Sequence, residues 1–145
     1  MAIEVVNRQR SWRIDSQRIA DLATATLRAV GRPLADVTIG FVSDRTIRRM
    51  NKQFRDYDRA TDVLSFPATN NSEQTVGNPV SEFLGDIVIS AETASRQADE
   101  AGHSLEREID ELLIHGVLHL CGHDHESDHG EMNRLELRLR RKLLG

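Results

Sequence analysis

The sequence predicts an α+β domain in which a small mixed β-sheet of about four strands packs with about five helices. Short runs rich in Val, Ile and Phe occur in pairs, and helical segments separate them. Apolar residues at spacings of three and four dominate the second half of the chain. The length of 145 residues leaves room for one hydrophobic core, so residues 1–145 are expected to form a single domain.

Four short segments have the composition of strands, because they are rich in β-branched or aromatic residues and lead into polar residues. The fourth is apolar enough to lie centrally in the sheet. The polar stretch 68–81, which contains Gly, Asn and Pro, has the composition of a mobile loop. The predicted strands cover residues 3–7, 37–43, 63–67 and 84–89.

Five helices follow from apolar periodicity and from start and stop signals. The first has Asp15 or Ser16 as its N-cap and stops at Gly31-Arg32-Pro33. Gly122 is the expected stop of the fourth, because glycine adopts the left-handed conformation there without steric cost. The helices are predicted over about 16–30, 45–54, 90–101, 104–121 and 131–144.

Composition excludes several classes of protein. The net charge of −4 argues against a protein that coats nucleic acid by bulk charge. The single cysteine, Cys121, cannot form an intramolecular disulfide, and the first residues resemble no secretion signal, so a cytoplasmic location is expected. Since no apolar run approaches the 18 or so residues of a membrane span, no membrane association is expected.

The histidines are concentrated in one short stretch that has metal-ligand spacing. Five of the six lie between residues 115 and 129. His115 and His119 are i and i+4 on the best predicted helix, so their imidazoles share one face. After the turn at Gly122, His125 can close on the same ion as a third ligand. Three protein ligands with one open position are typical of a catalytic zinc, so one zinc ion per chain is predicted.

Two alternatives use the same cluster. The H-x3-H-x5-H spacing is metzincin-like, but metzincin proteases need a glutamate directly after the first histidine as general base, and Gly116 stands there. A metalloprotease-like hydrolase is therefore disfavoured. A structural metal in a non-catalytic binding protein would need a fourth ligand, such as His123 or His129.

The histidine segment belongs to a longer signature. Residues 115–125, His-Gly-Val-Leu-His-Leu-Cys-Gly-His-Asp-His, closely resemble the signature of the YbeY family of bacterial endoribonucleases. The resemblance spans most of the chain, and at His123 the sequence departs from the tyrosine of many relatives. Upstream blocks that match in the same order are Asn51, Phe54-Arg55, Asp58, residues 61–67 and residues 84–90.

The resemblance implies a metal-dependent endoribonuclease that prefers single-stranded RNA. It further implies action in ribosomal RNA processing, notably 3′-end maturation of the small-subunit RNA, and in ribosome quality control. The implied partners are single-stranded RNA, ribosomal RNA and the ribosome, and the alternative with a structural metal would then be a non-catalytic ribosome assembly factor. By the same resemblance, His115, His119 and His125 are the zinc ligands and Arg55 is a basic residue of the cleft.

Arg55 is also the catalytic candidate on chemical grounds. Zinc lowers the pKa of bound water to about 7, so either a hydroxide or the ribose 2′-OH could serve as nucleophile. Both routes build negative charge on phosphoryl oxygens, which a guanidinium meets with two hydrogen bonds. Tyr57 is the aromatic residue expected to accompany this patch, so contact with the RNA backbone is expected rather than base stacking. The basic residues around it are Arg45, Arg48, Arg49, Lys52 and Arg59.

Other polar residues near the signature have open roles. Glu111 lies one turn before His115 and Asp124 precedes His125, so either could orient a ligand, accept a proton or be solvated. Asp86 lies between apolar neighbours of a strand, where a structural role is favoured. Cys121 is expected to be a small buried residue that points away from the ligands.

Overall fold

The computed structural model describes residues 3–68, 82–123 and 128–145, and within these ranges the predicted α+β architecture is confirmed. The predicted loop 68–81 lies, apart from Ala68, outside the described residues. The elements in chain order are β1 (Ile3–Asn7), α1 (Ser16–Ala29), β2 (Ala35–Val42), α2 (Asp44–Arg55), β3 (Val63–Pro67), β4 (Glu82–Ser90), α3 (Ala91–Ala101), α4 (Leu105–Leu120) and α5 (Glu131–Leu144).

The strands form one mixed sheet in the order β1-β2-β4-β3. β1 and β4 run parallel to β2, and β3 pairs antiparallel with β4. β4 is therefore central, as its apolar composition predicts, whereas β1 and β3 are the edges. Because side chains alternate along a strand, every strand presents one set of residues to each face of the sheet.

One face of the sheet carries the main core. Val37, Ile39 and Phe41 of β2 and Ile87 and Ile89 of β4 point to this face and are at most 1% exposed. The face packs against apolar residues of α1 and α4, which are Ile19, Ala23 and Leu27 of α1 and Ile109, Leu112, Leu113 and Val117 of α4. α4 is thereby held flat against the sheet.

α5 covers the outer side of α4. Ile114 and Leu118 of α4 pack with Met132 and Leu139 of α5 in a second buried cluster. α4 thus has apolar residues on two sides, one towards the sheet and one towards α5. No helix in the described part of the chain is long and apolar enough to cross a membrane.

The opposite face of the sheet is only partly covered, by α2. Ile47 is fully buried there and packs with Leu64 and Val88. Ile47, Met50 and Phe54 are spaced at i, i+3 and i+7, which predicts a narrow apolar stripe on α2. The prediction is wrong at the last position, because Phe54 is 60% exposed. The reason is that α2 reaches the sheet edge at its C-terminal end, where little of the sheet remains to bury the ring.

α2 is held at its start by a polar link to α3. The Asp44 carboxylate accepts hydrogen bonds from the hydroxyls of Ser90 and Thr93 and pairs with Arg96 at 2.9 Å. Burial alone would raise the pKa of Asp44, but these hydrogen bonds and the Arg96 charge outweigh it, so the pKa lies below its ordinary value. The link fixes the direction in which α2 leaves β2.

β4 contains a bulge at Gly85 that fixes its pairing with both neighbours. The register with β2 shifts between Asp36 and Val37, so that Leu84 is the extra residue. Gly85 has φ of 141°, and a Cβ atom there would lie 2.2 Å from the carbonyl oxygen of Phe66 on β3. Only glycine fits this close approach of two backbones.

We expect Gly85→Ala to lower the free energy of unfolding by about 3 kcal/mol or more, because both φ and the Phe66 carbonyl oppose the methyl group. Gly40→Ala in β2 is the matched control, since its Cβ would approach nothing closer than the Val6 carbonyl at 3.9 Å and should change stability by less than about 1 kcal/mol. Urea denaturation of both variants measures the difference. Equal midpoints would contradict this account of the bulge.

Candidate active site

The polar stripe of α4 carries the candidate site. The helix starts at Ser104, whose hydroxyl accepts from the Arg107 backbone N–H at 3.0 Å, and ends at Cys121. The residues of the stripe are three or four positions apart, so they share one side of the helix, between the apolar sides that face the sheet and α5. Its members are Ser104, Glu108, Glu111, His115 and His119. Since the flanks are buried, these side chains share one restricted strip of surface.

His115 and His119 meet as the spacing predicts. Their rings are 4.6 Å apart between centroids, at an angle of 72°, and their Nε2 atoms are 3.1 Å apart. At a Zn–N distance of about 2.0–2.1 Å, two nitrogen ligands of a tetrahedral zinc lie about 3.3 Å apart. Both half-buried rings therefore direct the same nitrogen towards one point, at a separation that suits a shared ion.

Glu136 of α5 orients the first histidine. Its Oε1 lies 2.8 Å from His115 Nδ1, and the side chain is 9% exposed. A carboxylate on Nδ1 favours the tautomer in which Nε2 carries the lone pair, which is the form that binds a metal. Burial alone would raise the pKa of Glu136, but His115 and Arg140 outweigh it, so the pKa is lowered and the carboxylate stays ionised.

The charged contacts continue along the α4–α5 interface. Arg140 pairs with Glu136 through Nη2 and reaches Glu111 Oε1 at 3.4 Å through Nη1. Glu111 Oε2 also accepts from Arg107 Nε at 2.8 Å. Among the described residues Glu111 is thus paired with Arg107 and Arg140 rather than merely solvated, and Arg140 connects it to Glu136, the partner of His115.

A second His/Glu group lies nearer the start of α4. One ligand atom from each of His103, Glu108 and Glu111 lies within 4.8 Å of the others, so these residues could hold a metal ion. Glu108 Oε1 is 2.7 Å from His103 Nε2, while Glu111 is engaged by the arginines. The group extends the polar stripe of α4 by two turns away from the histidine pair.

The turn after α4 follows the predicted stop. Gly122 has φ of 95°, and the next N–H, that of His123, donates to the Leu118 carbonyl at 3.1 Å. These are features of a Schellman ending, which reverses the chain direction. The third predicted ligand, His125, and its neighbour Asp124 lie outside the described residues. His129 is exposed, and its backbone N–H bonds to Glu131.

Close packing of α4 on the sheet requires glycine at position 116. A Cβ atom at this position would lie 2.9 Å from Cγ2 of Ile87, which is fully buried in β4. Residue 116 therefore faces the sheet, and α4 approaches the strands closely here. On the same side of the sheet, the Ser65 hydroxyl of β3 lies 3.5 Å from the Gly116 carbonyl oxygen, so the histidine pair sits beside the β3 edge.

Arg55 occupies the last position of α2 and is exposed. Among the described residues no hydrogen bond or ion pair engages its guanidinium. By contrast, Arg48 and Lys52 share Asp58, at 2.8 and 4.0 Å, and Arg59 lies over the Tyr57 ring at 5.2 Å. Arg55 is thus one cation of the basic patch that is available to an external anion.

The structure does not bring Arg55 into contact with the histidines within the described residues. α2 lies on one face of the sheet and α4 on the other. The Phe54 ring packs edge-to-face on Phe66 of β3, with centroids 5.3 Å apart, so the end of α2 also reaches the β3 edge. Arg55 and the histidine pair therefore flank the same edge strand from its two sides.

Sequence reasoning missed three residues of the site, which are Glu136 and, in the second His/Glu group, His103 and Glu108. Glu136 falls at the same helical spacing as Met132 and Leu139, so a carboxylate in an apolar stripe was the available signal. For His103 no signal existed, because its contact with Glu108 depends on the turn before α4. Cys121 is half-buried, packs on the main core as expected, and has a pKa raised by burial.

Comparison with known proteins defines the class. Residues 4–143 match the family model described as Endoribonuclease YbeY. Endoribonuclease YbeY of Heliobacterium modesticaldum is 43% identical over 92% of this chain and 84% of its own length. That of Geobacter metallireducens is 39% identical over 97% and 92%. The solution structure of TM1509 from Thermotoga maritima superposes with a TM-score of 0.64 at 25% identity, over 99% of this chain and 90% of that one.

These matches define an endoribonuclease, an enzyme that breaks phosphodiester bonds within RNA. The chain belongs to the YbeY family, as its histidine signature predicts. The function expected from the resemblance, metal-dependent cleavage of RNA in ribosomal RNA maturation, is therefore that of the family to which this chain belongs.

We expect Glu136→Leu to weaken zinc binding by about 10- to 100-fold, because His115 loses the group that orients its ring. Glu136→Gln keeps an oxygen acceptor for Nδ1–H and should lose less. Competition with a chromophoric chelator measures both affinities, and Glu100→Gln, at an exposed position of α3, is the control. Unchanged zinc affinity in Glu136→Leu would show that the contact does not orient a ligand.

Proposed function

We propose that this chain is a zinc-dependent endoribonuclease that cleaves single-stranded ribosomal RNA, with 3′-end maturation of the small-subunit RNA and ribosome quality control as its roles. The observation that carries the proposal is the convergence of His115 and His119 through Nε2 atoms 3.1 Å apart, within the YbeY signature. The proposal treats residues 1–145 as one catalytic domain in the cytoplasm, with the ribosome as its partner.

The donor set fits one zinc ion per chain. Two imidazole nitrogens converge at nearly the edge length of a zinc tetrahedron, and one of them is held in its metal-binding tautomer by Glu136. We assign His125 as the third ligand because Gly122 turns the chain back after His119. Three protein ligands leave one position for water or substrate, as in catalytic rather than structural zinc sites.

The chain's own residues supply the rest of the chemistry. When bound, zinc would activate water and polarise a phosphoryl oxygen. Glu136 and Arg140 keep His115 in place, and the buried flanks of α4 keep the two histidines in register. Arg55 meets the negative charge that develops on the phosphoryl oxygens, and its planar guanidinium can bind two of them at once.

The structure gives no support to peptide hydrolysis at the same centre. The position of the metzincin base is Gly116, where a side chain would collide with the buried Ile87. RNA cleavage tolerates the missing glutamate, because a hydroxide held by zinc would be available near neutral pH, either to attack phosphorus or to accept the proton of the ribose 2′-OH. Steric packing at residue 116 therefore favours ribonuclease chemistry.

We expect chelator-sensitive cleavage of end-labelled single-stranded RNA by the purified protein, and loss of that cleavage to background in His119→Ala. His129→Ala is the control, since this exposed histidine is not among the proposed ligands. Zinc should raise the melting temperature of the parent but not of His119→Ala, because binding adds to stability only where the ligands are present. Cleavage that persists in chelator-treated His119→Ala would overturn the assignment. Activity lost equally in His129→Ala would point to a four-ligand structural metal.

We expect Arg55→Ala to lower kcat by about 100-fold while zinc binding and folding stay unchanged, because the guanidinium acts on developing charge. Arg141→Ala, at an exposed position of α5, is the charge-matched control and should cut RNA as the parent does. Single-turnover cleavage rates measure the difference. An Arg55→Ala variant that cleaves as fast as Arg141→Ala would remove Arg55 from the site.

A further inference from the structure

The sheet face opposite the histidines contains an open groove of about 360 Å³. α2 covers only part of this face, and the groove runs between that helix and the exposed strands. Its walls are largely apolar, formed by Met50 and Phe54 of α2 and Phe66 of β3. It lies beside Arg55 and contains none of the residues assigned above to the metal centre.

The floor of the groove is a row of cross-strand neighbours. Thr38 of β2, Asp86 of β4 and Phe66 of β3 are register partners and point to the same face. In the next row, Gly40 pairs with Val88, and the missing side chain keeps the groove open. The floor thus places one carboxylate beside a hydroxyl and an aromatic ring.

Asp86 is the unusual residue in this setting. It is half-buried among apolar neighbours, and within the described residues no hydrogen bond or ion pair involves its carboxylate. Neither the structural role expected from sequence nor a reach to the histidines is observed there, since α4 lies on the other face. A partly desolvated carboxylate is stabilised by N–H donors, so the groove suits a flat ligand with a donor edge.

The helix that forms one wall of the groove, α2, is basic on its exposed side. It carries Arg48, Arg49, Lys52 and Arg55 there, of which Arg48 and Lys52 are paired with Asp58, although the whole chain has a net charge of −4. The exposed Phe54 ring stands at the mouth and packs on Phe66. An unpaired nucleotide matches all three features, because it has a flat apolar face, polar groups along its base edge and a phosphate on either side.

We propose that this groove is a base-specific subsite for one unpaired nucleotide of the RNA substrate, with a preference for guanine. The inference deepens the proposed function and rests on it for the identity of the ligand. Guanine presents N1–H and N2–H side by side, so it can donate to both oxygens of Asp86. Adenine and cytosine pair one donor with an acceptor, and uracil flanks its single N–H with two carbonyls that the carboxylate repels.

The path from this subsite to the histidines follows the edge strand. Phe66 lines the groove on one face of β3, while its neighbour Ser65 lies beneath the Gly116 carbonyl on the other. An RNA strand seated in the groove passes Arg55 at the end of α2 and rounds β3 to reach His115 and His119. The subsite therefore selects which phosphodiester bond arrives at the metal centre.

Fluorescence anisotropy with 5′-labelled octameric RNA tests the proposal without depending on cleavage, provided that a gel shows each probe intact after the measurement. The probes are oligouridine and the same strand with one central G, A or C. The parent, loaded with zinc, should bind the G probe about 5- to 150-fold more tightly than oligouridine, which is the discrimination expected of a two-bond contact to one base. Equal affinities would overturn the proposal.

Two variants locate the effect. Asp86→Asn should abolish the guanine preference and improve binding of oligouridine, because an amide offers uracil one donor and one acceptor. Asp99→Asn, at an exposed position of α3, is the charge-matched control and should keep the guanine preference. Gly40→Leu should weaken binding of the G probe by filling the groove, and it has room to fold because a Cβ there meets only the Val6 carbonyl at 3.9 Å.

The outcomes separate the two proposals. A guanine preference that survives Asp86→Asn, or full affinity in Gly40→Leu, would show that RNA bases do not bind here and that the groove serves another ligand. Metal-dependent cleavage without base preference would overturn the subsite and leave the proposed function standing. Guanine-selective binding without metal-dependent cleavage would support the subsite and overturn the proposed function.

Discussion

The close approach of α4 to the sheet at Gly116 is the constraint on which the site depends. Because residue 116 has no side chain, the helix lies directly on Ile87, and its neighbour His115 is held at a fixed height beside the β3 edge. The same packing buries both flanks of α4, between the sheet and α5. The two histidines are rigid because their helix has no freedom to roll, and a preorganised pair loses little entropy when it binds an ion.

The interface between α4 and α5 adds an electrostatic layer to this packing. Ion pairs and hydrogen bonds connect five side chains one after another across this interface. In order of contact they are His115, Glu136, Arg140, Glu111 and Arg107. A buried carboxylate such as Glu136 is stable only because partners on both sides compensate its desolvation. The result is that the orientation of a candidate ligand depends on a residue of α5 that lies 21 positions further along the chain.

The edge strand β3 organises the functional surface. Its alternating side chains divide that surface into a side that faces the histidine pair, beside Ser65, and a side that faces the groove, which Phe66 lines. The bulge at Gly85 fixes how β3 pairs with β4, and the Asp44 link fixes where α2 begins. Backbone geometry far from the histidines therefore determines where the basic end of α2 and the edge strand meet.

Sequence alone determined the local features of this protein. The cap at the start of α1, the stop at Gly122 and the spacing of His115 and His119 are read within one or two turns, because the interactions that create them are themselves local. The signature also determined the family. The tertiary structure decided the strand order, the pairing of His115 with Glu136, the exposure of Phe54 and the place of Asp86 on the floor of a groove. These features depend on which distant segments of the chain pack on the same face of the sheet. A periodic pattern predicts that a side chain points into the core, but it does not predict which side chain of another element it contacts.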